Sequence, residues 1–389
     1  MKKFLWPLNR NNITNQDKKI LSKFVLNTDI FTQSKKVYEF EKKWSEWLGV
    51  KYSVFVNSGA SANLLSIHAL KILNKTKKNE IIVPALTWSS DLVSVINCGF
   101  KPVFVDINLK NLSMNVEEVK KKISKKTLAI FISHIMGFNG LDDELLKICK
   151  TKNIKLIEDV CESHGASFKN KKLGTYGFMS NFSFYYAHHM TTIEGGMICT
   201  SNSKIYEILK VIRSHGLISG KNGENNNTSK YPYTQRQFVF KYQGFNLRNN
   251  EISALLGIQQ LKLLNKNIKI RNYNKILFLK NLNSKIFFVD FDLDGMSNYG
   301  LNLVLKNKNK KLFNKVCELL YSNGIEFRIG SAGGGNQLRH PYMKDYSGNY
   351  SSFVNADHVH YYGLYIGNNP FITKKQVLNL CSMLNKLNP

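Results

Sequence analysis

The sequence predicts an α/β fold, with a large domain on a mainly parallel sheet covered by helices on both faces and a smaller C-terminal α+β domain. Between residues 50 and 215, apolar runs of strand length alternate with segments of helical spacing, a pattern typical of βαβ units. The chain has 389 residues and is 43% hydrophobic, enough for a large core. A long stretch of helical spacing, 250–282, then leads to further short elements. We therefore expect two domains, at 1–260 and 261–389.

The individual elements follow from local patterns. Strands are predicted where short runs rich in β-branched and aromatic residues end in turn-forming residues. These runs are YSVFVNSG, EIIVPALT, KPVFVDI, TLAIFISHI, IKLIEDV, SNFSFYY and GGMICT, and later FFVDFDL and YGLNLVL. Helices are predicted at ASANLLSIHALKIL, SSDLVSVINC, LDDELLKICKTK and SKIYEILKVIRSH, and later at KLFNKVCELLYSNG and ITKKQVLNLCSMLNKL. The polar, Asn-rich residues 217–240 predict a long loop.

The composition narrows the class of partner. The formal net charge is +28, which invites a nucleic-acid interpretation. The lysines are spread along the chain and no nucleic-acid-binding motif is present, so we expect a solvated basic surface and no nucleic-acid partner. An anionic small molecule such as a nucleotide sugar suits this charge. No apolar stretch has the length of a membrane span or of a signal-peptide core, so we expect a cytoplasmic protein without a membrane partner.

The six cysteines predict neither a disulfide framework nor a metal site. They stand at positions 98, 149, 161, 199, 317 and 381, and no two have the close spacing of metal ligands. We expect reduced thiols, no structural zinc and no iron–sulfur cluster.

Residues that follow the strands are the candidates for a binding site, because ligands of open α/β sheets bind beyond the carboxyl ends of the strands. NSGASAN, 57–63, is a small-residue turn entering a helix, where backbone N–H groups and the Ser61 hydroxyl can hold a phosphate. Trp88 can stack on a flat ring. Strand alternation points Glu158 and Asp159 to opposite faces, so one carboxylate can face a ligand. Each feature has a plainer alternative: an ordinary turn, a half-buried core tryptophan, a helix cap or a surface acid.

Two further candidates come from the stretch NFSFYYAHHMTTIEGGMICT, 181–200. Ser183 lies between two phenylalanines and can contact a phosphate. His188 and His189 begin the turn between two predicted strands. The order of phosphate turn, stacking ring, carboxylate, serine and a turn with a base is the layout of a fold-type-I pyridoxal phosphate (PLP) enzyme.

The whole chain resembles the sugar aminotransferases of the DegT/DnrJ/EryC1/StrS family. The motifs that carry the resemblance are FTQSKKVYEFEKKWSEWLGV, NSGASANL, KPVFVDI, IEDVCESHGA, FSFYYAHHMTTIEGGM, GFNLRNNEISALLGIQQL and GNQLRHP. It implies an aspartate aminotransferase-like fold with a three-layer α/β/α large domain, a PLP cofactor, and a homodimer with shared active sites.

His188 departs from the family pattern, in which a lysine at this position carries PLP covalently. The substitution resembles the branch that removes the C3 hydroxyl of nucleotide-linked 4-keto-6-deoxy sugars. That resemblance implies non-covalent PLP, conversion to pyridoxamine phosphate (PMP) by glutamate, release of ammonia, and GDP-4-keto-6-deoxymannose as substrate in colitose-type deoxysugar biosynthesis. His188 is then the implied base and acid, which suits an imidazole with an ordinary pKa of about 6.5. A second histidine-bearing branch holds a [2Fe–2S] cluster, for which the cysteine spacing here offers no ligands.

The same resemblance assigns further residues. Asp159 pairs with the pyridine nitrogen, Trp88 stacks on the ring and Glu162 lies beside the ring and its 3-hydroxyl. The implied phosphate ligands are Gly59, Ala60, Ser61, Ser183 and, across a dimer interface, Asn246. His215 and Arg328 are candidates for anchoring the cosubstrate carboxylate or the sugar, with a helix-end histidine and a surface arginine as the alternatives. We interpret His189 as structural.

Two other functions stay open at this point. An ordinary nucleotide-sugar 4-aminotransferase would need another amine as base, and no lysine stands in the motif; a lysine-to-histidine variant of such an enzyme would look the same at this one position. A non-catalytic nucleotide-sugar-binding protein would be expected to lose the other cofactor contacts, and these remain.

Overall fold

A seven-stranded sheet forms the centre of the molecule. The structure, a computed structural model, describes residues 4–218, 231–232, 235–346 and 352–388. The first nine strands are β1 (Tyr52–Val56), β2 (Glu80–Pro84), β3 (Lys101–Val105), β4 (Thr127–Ser133), β5 (Lys155–Asp159), β6 (Ser167–Phe168), β7 (Lys171–Lys172), β8 (Met179–Ser183) and β9 (Gly196–Thr200). The sheet order is β1-β9-β8-β5-β4-β2-β3, while β6 and β7 form a separate hairpin. β9 runs antiparallel to β1 and β8, and the other neighbours are parallel. The predicted mainly parallel sheet is confirmed.

Helices cover both faces of this sheet. They are α1 (Asn15–Asn27), α2 (Lys35–Leu48), α3 (Gly59–Leu73), α4 (Ser89–Asn97), α5 (Val116–Lys122), α6 (Asp143–Thr151), α7 (Ser203–Arg213) and α8 (Glu251–Asn281). Alternate strand residues enter two different apolar clusters: Val54 and Val56 pack in one, and Phe55 packs in the other. Since side chains alternate across a strand, two separate clusters mean that each face of the sheet has its own core. The architecture is therefore three-layered, α/β/α, as expected.

The C-terminal part of the chain builds a second, antiparallel sheet. Its elements are β10 (Gly300–Val304), α9 (Lys310–Ser322), β11 (Phe327–Ile329), α10 (Val354–Tyr362), β12 (Gly363–Gly367) and α11 (Lys374–Asn385), with strand order β10-β12-β11. The N-terminus returns to this sheet, since Trp6 bridges Ile325 and its indole N–H donates to the carbonyl of Gly367 at 3.0 Å. The proposed domain boundary after residue 260 falls inside α8 and stays a prediction.

One predicted strand is wrong. The segment FFVDFDL forms no strand, and its pairing is a single bridge between Phe287 and Leu305. Its aromatic rings pack instead: Phe291 stacks on Phe138 at 5.3 Å and meets Phe288 edge-on at 4.8 Å. Side-chain burial, rather than a backbone ladder, explains the apolar pattern. The loop predicted over 217–240 lies partly outside the described residues.

Within the described ranges, no helix combines the length and apolarity needed to cross a bilayer.

Candidate active site

A cleft of about 730 Å³ opens at the carboxyl ends of the parallel strands, between the large sheet and the C-terminal sheet. Ser58, Ser133, Asp159 and Ser183 bring the ends of β1, β4, β5 and β8 to its wall, as expected for an open α/β sheet. Eight predicted site residues line it: Gly59, Ala60, Trp88, Asp159, Glu162, Ser183, His188 and Arg328. Sequence positions up to 269 apart, from 59 to 328, therefore converge on one cavity.

The end of β5 separates the two neighbouring carboxylates as alternation predicts. Asp159 lines the cleft, where its oxygens accept hydrogen bonds from the N–H of Cys161 at 2.8 Å and from the side-chain amide of Asn63 at 2.9 Å. Glu158 is fully buried on the other side and accepts from the N–H groups of Gly174, Tyr176 and Gly177 at 2.6–3.0 Å. Asp159 is thus a ligand-facing group, and Glu158 holds a turn.

A second carboxylate, Asp91 in the first turn of α4, was not found by sequence reasoning. Its oxygens accept from Asn63 at 2.6 Å, from Ser133 at 2.6 Å and from the hydroxyl of Thr87. Burial raises the pKa of Asp91 well above its usual range, and the neighbouring carboxylate of Asp159 raises it further. Burial and the neighbouring carboxylate thus both favour the protonated form of Asp91, and Asn63 bridges Asp91 and Asp159. An acid in the first turn of a helix looks in sequence like an ordinary dipole partner, which is why it was missed.

The start of α3 forms a narrow turn against β8. Ser58 caps the helix by accepting from the N–H of Ser61 at 3.1 Å. A Cβ on Gly59 would lie 2.6 Å from the Cβ of Ser183, so only glycine lets these two segments approach so closely. The hydroxyl of Ser183 and the helix N-terminus therefore face the same small space, a geometry that suits an anion. Ser61, which was predicted to contact the phosphate, does not line the cleft. Its hydroxyl donates instead to the side-chain oxygen of Asn57 at 2.6 Å.

Trp88 precedes α4 and is 54% exposed, with its side chain in the wall of the cleft. The alternative of a half-buried core tryptophan is therefore wrong. An exposed indole, a buried carboxylate and a turn that suits an anion line the same cleft, a set that fits a flat, phosphorylated heteroaromatic group such as PLP. The phosphate would be held by Gly59, Ala60 and Ser183, and the ring would lie between Trp88 and Asp159.

The turn between β8 and β9 places the two histidines differently. His188 is half-buried and lines the cleft, and its Nδ1 is buried without a hydrogen-bond partner in the described residues. His189 is fully buried, with Nε2 3.1 Å from the carbonyl oxygen of Ser297. A third imidazole, His164, is fully buried, with ring centroids 5.9 Å from His188 and 5.3 Å from His189. This supports a structural role for His189 and leaves His188 as the ring presented to a ligand.

The pKa values of these imidazoles are lowered together. Burial lowers the pKa of His188 to about 4; the carboxylate of Asp159 opposes this, and the guanidinium of Arg271 adds to it. Burial also lowers the pKa of His164 and of His189 well below the usual range. At neutral pH His188 is thus an uncharged base.

Glu162 lies on the same wall and is tied to the backbone. The N–H of Met136 donates to its Oε2 at 2.8 Å. Burial raises the pKa of Glu162 to about 8, the Met136 hydrogen bond opposes this, and the carboxylate of Asp159 adds to it. A protonated Glu162 offers one donor and one acceptor, as a glutamine would.

The opposite wall comes from the C-terminal sheet and the N-terminus. Arg328 pairs with Glu326 at 3.2 Å, and the other oxygen of Glu326 accepts from the N–H of Leu8 at 2.9 Å. Asn9 donates to the carbonyl of Tyr186, which ties the N-terminal segment to the histidine turn. Sequence reasoning missed this segment, because nothing local in residues 7–9 indicates that they return to the cleft.

His215 and Asn246 do not line the cleft of this chain. They lie together in the segment between α7 and α8, where Ser214 bridges Asn246 and the N–H of His215 donates to Phe245 at 2.7 Å. Both side chains are exposed. The predicted phosphate contact of Asn246 would therefore have to be made in a second copy of the chain, and the predicted role of His215 stays a prediction.

In the part of the chain that the structure describes, no three His, Cys, Asp or Glu side chains gather as a metal site would require.

Comparison with known proteins agrees with this geometry. The chain is 34% identical over 372 residues to GDP-4-keto-6-deoxy-D-mannose 3-dehydratase of Yersinia pseudotuberculosis, covering 93% of this chain and 94% of that one. The Escherichia coli enzyme of that name, solved with hydrated PLP, superimposes with a TM-score of 0.90 at 32% identity, covering 98% of this chain and 100% of that one. A structure with a trapped PLP-glutamate geminal diamine gives 0.89 at 32% identity, covering 97% and 100%.

Residues 12–385 match the DegT/DnrJ/EryC1/StrS aminotransferase family. A match over nearly the whole length agrees with the three-layer fold, the glycine turn and the cleft at the strand ends. The chain belongs to the DegT/DnrJ/EryC1/StrS aminotransferase family.

Proposed function

We propose that this chain is a PLP/PMP-dependent 3-dehydratase that removes the C3 hydroxyl of GDP-4-keto-6-deoxymannose, with glutamate as amino donor and ammonia as by-product. The observation that carries the proposal is His188. It stands where the family has its lysine, lines the cleft beside Asp159, and is held uncharged by burial. An imidazole can move protons but cannot hold the cofactor covalently as a lysine does.

The cleft residues that would hold the cofactor are those that converge at the strand ends. When bound, PLP supplies an electron sink for breaking bonds next to an attached nitrogen. Asp159 would keep the pyridine nitrogen protonated, and Asn63 and the Cys161 N–H fix the orientation of its carboxylate. The N–H groups of Gly59 and Ala60 would bind the phosphate at the start of α3.

His188 carries the proton transfers. Because Nδ1 is buried without a partner, we assign the reactive position to Nε2. A neutral imidazole accepts a proton from carbon, and the imidazolium so formed can return a proton to the departing C3 hydroxyl. One residue would thus serve as base and then as acid, in a cleft that Trp88, Tyr185 and Tyr299 also line.

The proposed substrate and cosubstrate are negatively charged. The wall formed by the C-terminal sheet and the N-terminal segment provides a positively charged side chain that can bind them. Arg328 lines the cleft and is 59% exposed at its side chain, so we propose that it anchors a glutamate carboxylate or the sugar nucleotide. The GDP group is inferred from the similar enzyme of Yersinia pseudotuberculosis, and glutamate from the structure with a PLP-glutamate adduct. We propose colitose-type deoxysugar synthesis in the cytoplasm as the setting; the six cysteines are all free, as a reducing compartment favours.

We further propose a homodimer with shared active sites. Phe238 and Phe240 are 70% and 60% exposed in the segment that also carries His215 and Asn246. Large exposed apolar side chains beside polar residues are typical of a subunit interface. Asn246 would then reach the cofactor phosphate of the partner.

The proposal is tested by an absorbance spectrum of the protein with PLP, before and after glutamate, followed by GDP-4-keto-6-deoxymannose and an ammonia assay. We expect no cofactor attached to the chain after borohydride, a PMP spectrum after glutamate, then ammonia and a 3-deoxy product. An amino sugar without ammonia would instead establish an aminotransferase. No spectral change with any amino donor would favour a non-catalytic binding protein.

A further inference from the structure

Arg271, in α8, is a buried cation without an acidic partner. Arg271 is only 1% exposed. No carboxylate of the described residues makes an ion pair with it. Its Nη1 donates to the carbonyl of Tyr299 at 2.9 Å, its Nη2 donates to the carbonyl of His188 at 3.4 Å, and its Nε is buried without a partner. Arg213, equally buried, shows the usual arrangement, since it pairs with Glu41 at 2.6 Å.

An unpaired buried guanidinium is costly. Arginine is almost never fully buried without a partner, because removing a charge from water is costly unless other groups compensate for the lost hydration. Neutral carbonyls compensate only in part. The unpaired charge of Arg271 therefore brings no evident gain in stability, and the groups that it contacts at the cleft show what it can do there.

The two carbonyls that Arg271 binds belong to opposite walls of the cleft. His188 lies in the turn after β8, and Tyr299 directly precedes β10. The two side chains also meet, with ring centroids 5.5 Å apart. Arg271 therefore joins the histidine turn to the C-terminal sheet at the point where both present a side chain to the cleft.

The charge of Arg271 acts on a cluster of titratable groups. The titratable groups around His188 come from four parts of the chain. They are Asp159 at the end of β5, His164 in the loop after β5, Tyr299 just before β10, and Tyr185 and His189 in the same turn as His188. Asp159 is the one carboxylate among them that acts on His188, and it favours the imidazolium. The positive charge of Arg271 opposes it and favours the neutral ring, as a nearby like charge does.

We propose that Arg271 is the positioning residue of the histidine turn: its buried guanidinium fixes the main chain of His188 against that of Tyr299, and its charge adds to burial in disfavouring the imidazolium form of His188 where the ring faces the cleft. The proposal takes from the proposed function only that His188 is the base. It assigns a role to a cleft-lining residue that the proposed function does not use.

The test is a pH titration of the His188 imidazole by NMR, with histidine-selective labelling of the full chain in the absence of cofactor and substrate. Nine histidines are present, and His188→Asn identifies the resonance.

Three variants separate charge from geometry. Arg271→Gln removes the charge, Arg271→Lys keeps the charge but loses the two-pronged donor, and Lys275→Met is the control. Lys275 is a second fully buried basic residue one helical turn along α8, and it bonds to Asn302 rather than to the histidine turn.

We expect Arg271→Gln to raise the titration midpoint of His188 by at least about half a pH unit, while Arg271→Lys and Lys275→Met leave it near that of the wild type. In the loaded enzyme, both Arg271 variants should lower kcat by about tenfold or more, because a small misplacement of a catalytic group is costly, and Lys275→Met should not.

The proposal is overturned if Arg271→Gln leaves the midpoint unmoved, or if Lys275→Met moves it equally. Should Arg271→Gln not fold, Arg271→Lys still decides the positioning role, since unchanged kcat there contradicts it. Because the titration needs no turnover, a shifted midpoint in a protein without dehydratase activity would refute the proposed function and leave the electrostatic role standing.

Discussion

Two regions of the cleft differ in how fully their buried polar groups are hydrogen-bonded. One is the floor, formed by Asp91 and Asp159, and the other is the histidine wall, formed by His164, His188 and Arg271. On the floor, all four carboxylate oxygens of Asp91 and Asp159 accept hydrogen bonds. On the wall, both ring nitrogens of His164, one of His188 and the Nε of Arg271 are buried without partners in the described residues. Nearly all buried polar groups in proteins are satisfied. The two floor carboxylates follow this rule, although the side-chain oxygen of Asn63 between them has no partner in the described residues, and the imidazoles of the wall do not follow it.

The difference indicates that the floor holds the cofactor and that the histidine wall takes part in proton transfer. A fully hydrogen-bonded carboxylate has one orientation and suits a permanent contact with a cofactor ring. The His188 imidazole is uncharged and lines the cleft, so its Nε2 remains available to take a proton. The contrast can be tested residue by residue, beginning with the base.

His188→Asn should cause the largest loss. Removing a general base costs about a hundredfold or more in rate, so ammonia release from GDP-4-keto-6-deoxymannose should fall by at least that factor while PLP still binds. His189→Asn is the matched control: its ring is buried against Ser297, so its loss should lower the melting temperature more than the activity. Full activity of His188→Asn would contradict the mechanism.

Asp159→Asn should cause the next loss, on the floor. A hydrogen bond to a charged group contributes about 1.5–3 kcal/mol, which corresponds to a loss of about tenfold to a hundredfold in PLP affinity, measured by spectral titration. Glu158→Gln is the control one residue away. It should weaken the 174–177 turn and lower stability, with PLP affinity unchanged. Equal losses of affinity in both variants would show that Asp159 acts through folding.

The pH profile tests Glu162. Activity that needs neutral His188 and protonated Glu162 rises as the pH increases through about 4 and falls as it increases through about 8, the two pKa values that burial sets. Glu162→Gln keeps one donor and one acceptor without titrating, so it should remove the alkaline limb and leave the acid limb in place. An alkaline limb that persists in this variant would assign it to another group.

Trp88→Phe should have the smallest effect. A smaller ring loses part of a stacking contact worth about 0.5–1.5 kcal/mol, so PLP affinity should fall by about twofold to tenfold. Trp47 is the control, because its indole N–H donates to Asn265 at 3.0 Å and the residue does not line the cleft. Trp47→Phe should leave the PLP affinity unchanged. No difference between the two variants would remove Trp88 from the cofactor site.

Much of the fold could be predicted because its information is local. Alternating apolar runs and helical spacings give element types, and every strand of the central sheet was found in this way. FFVDFDL failed because a short apolar run looks the same whether it joins a ladder or packs its rings against Phe138. His188 and Asp159 could be placed because strand ends converge in any open α/β sheet.

Arg271, Asp91 and the N-terminal segment could not be found in that way. Arg271 stands in a helix rich in lysine and asparagine, where a basic residue looks solvated, and only the packing of α8 against Tyr299 and His188 buries it. The sequence by itself determined the elements, their order and the residues at the strand ends, since these depend on neighbours along the chain. The tertiary structure alone decided which charges lose water and which partners they meet, because burial depends on residues that are far apart in the sequence, as His188 and Arg271 are with 83 positions between them.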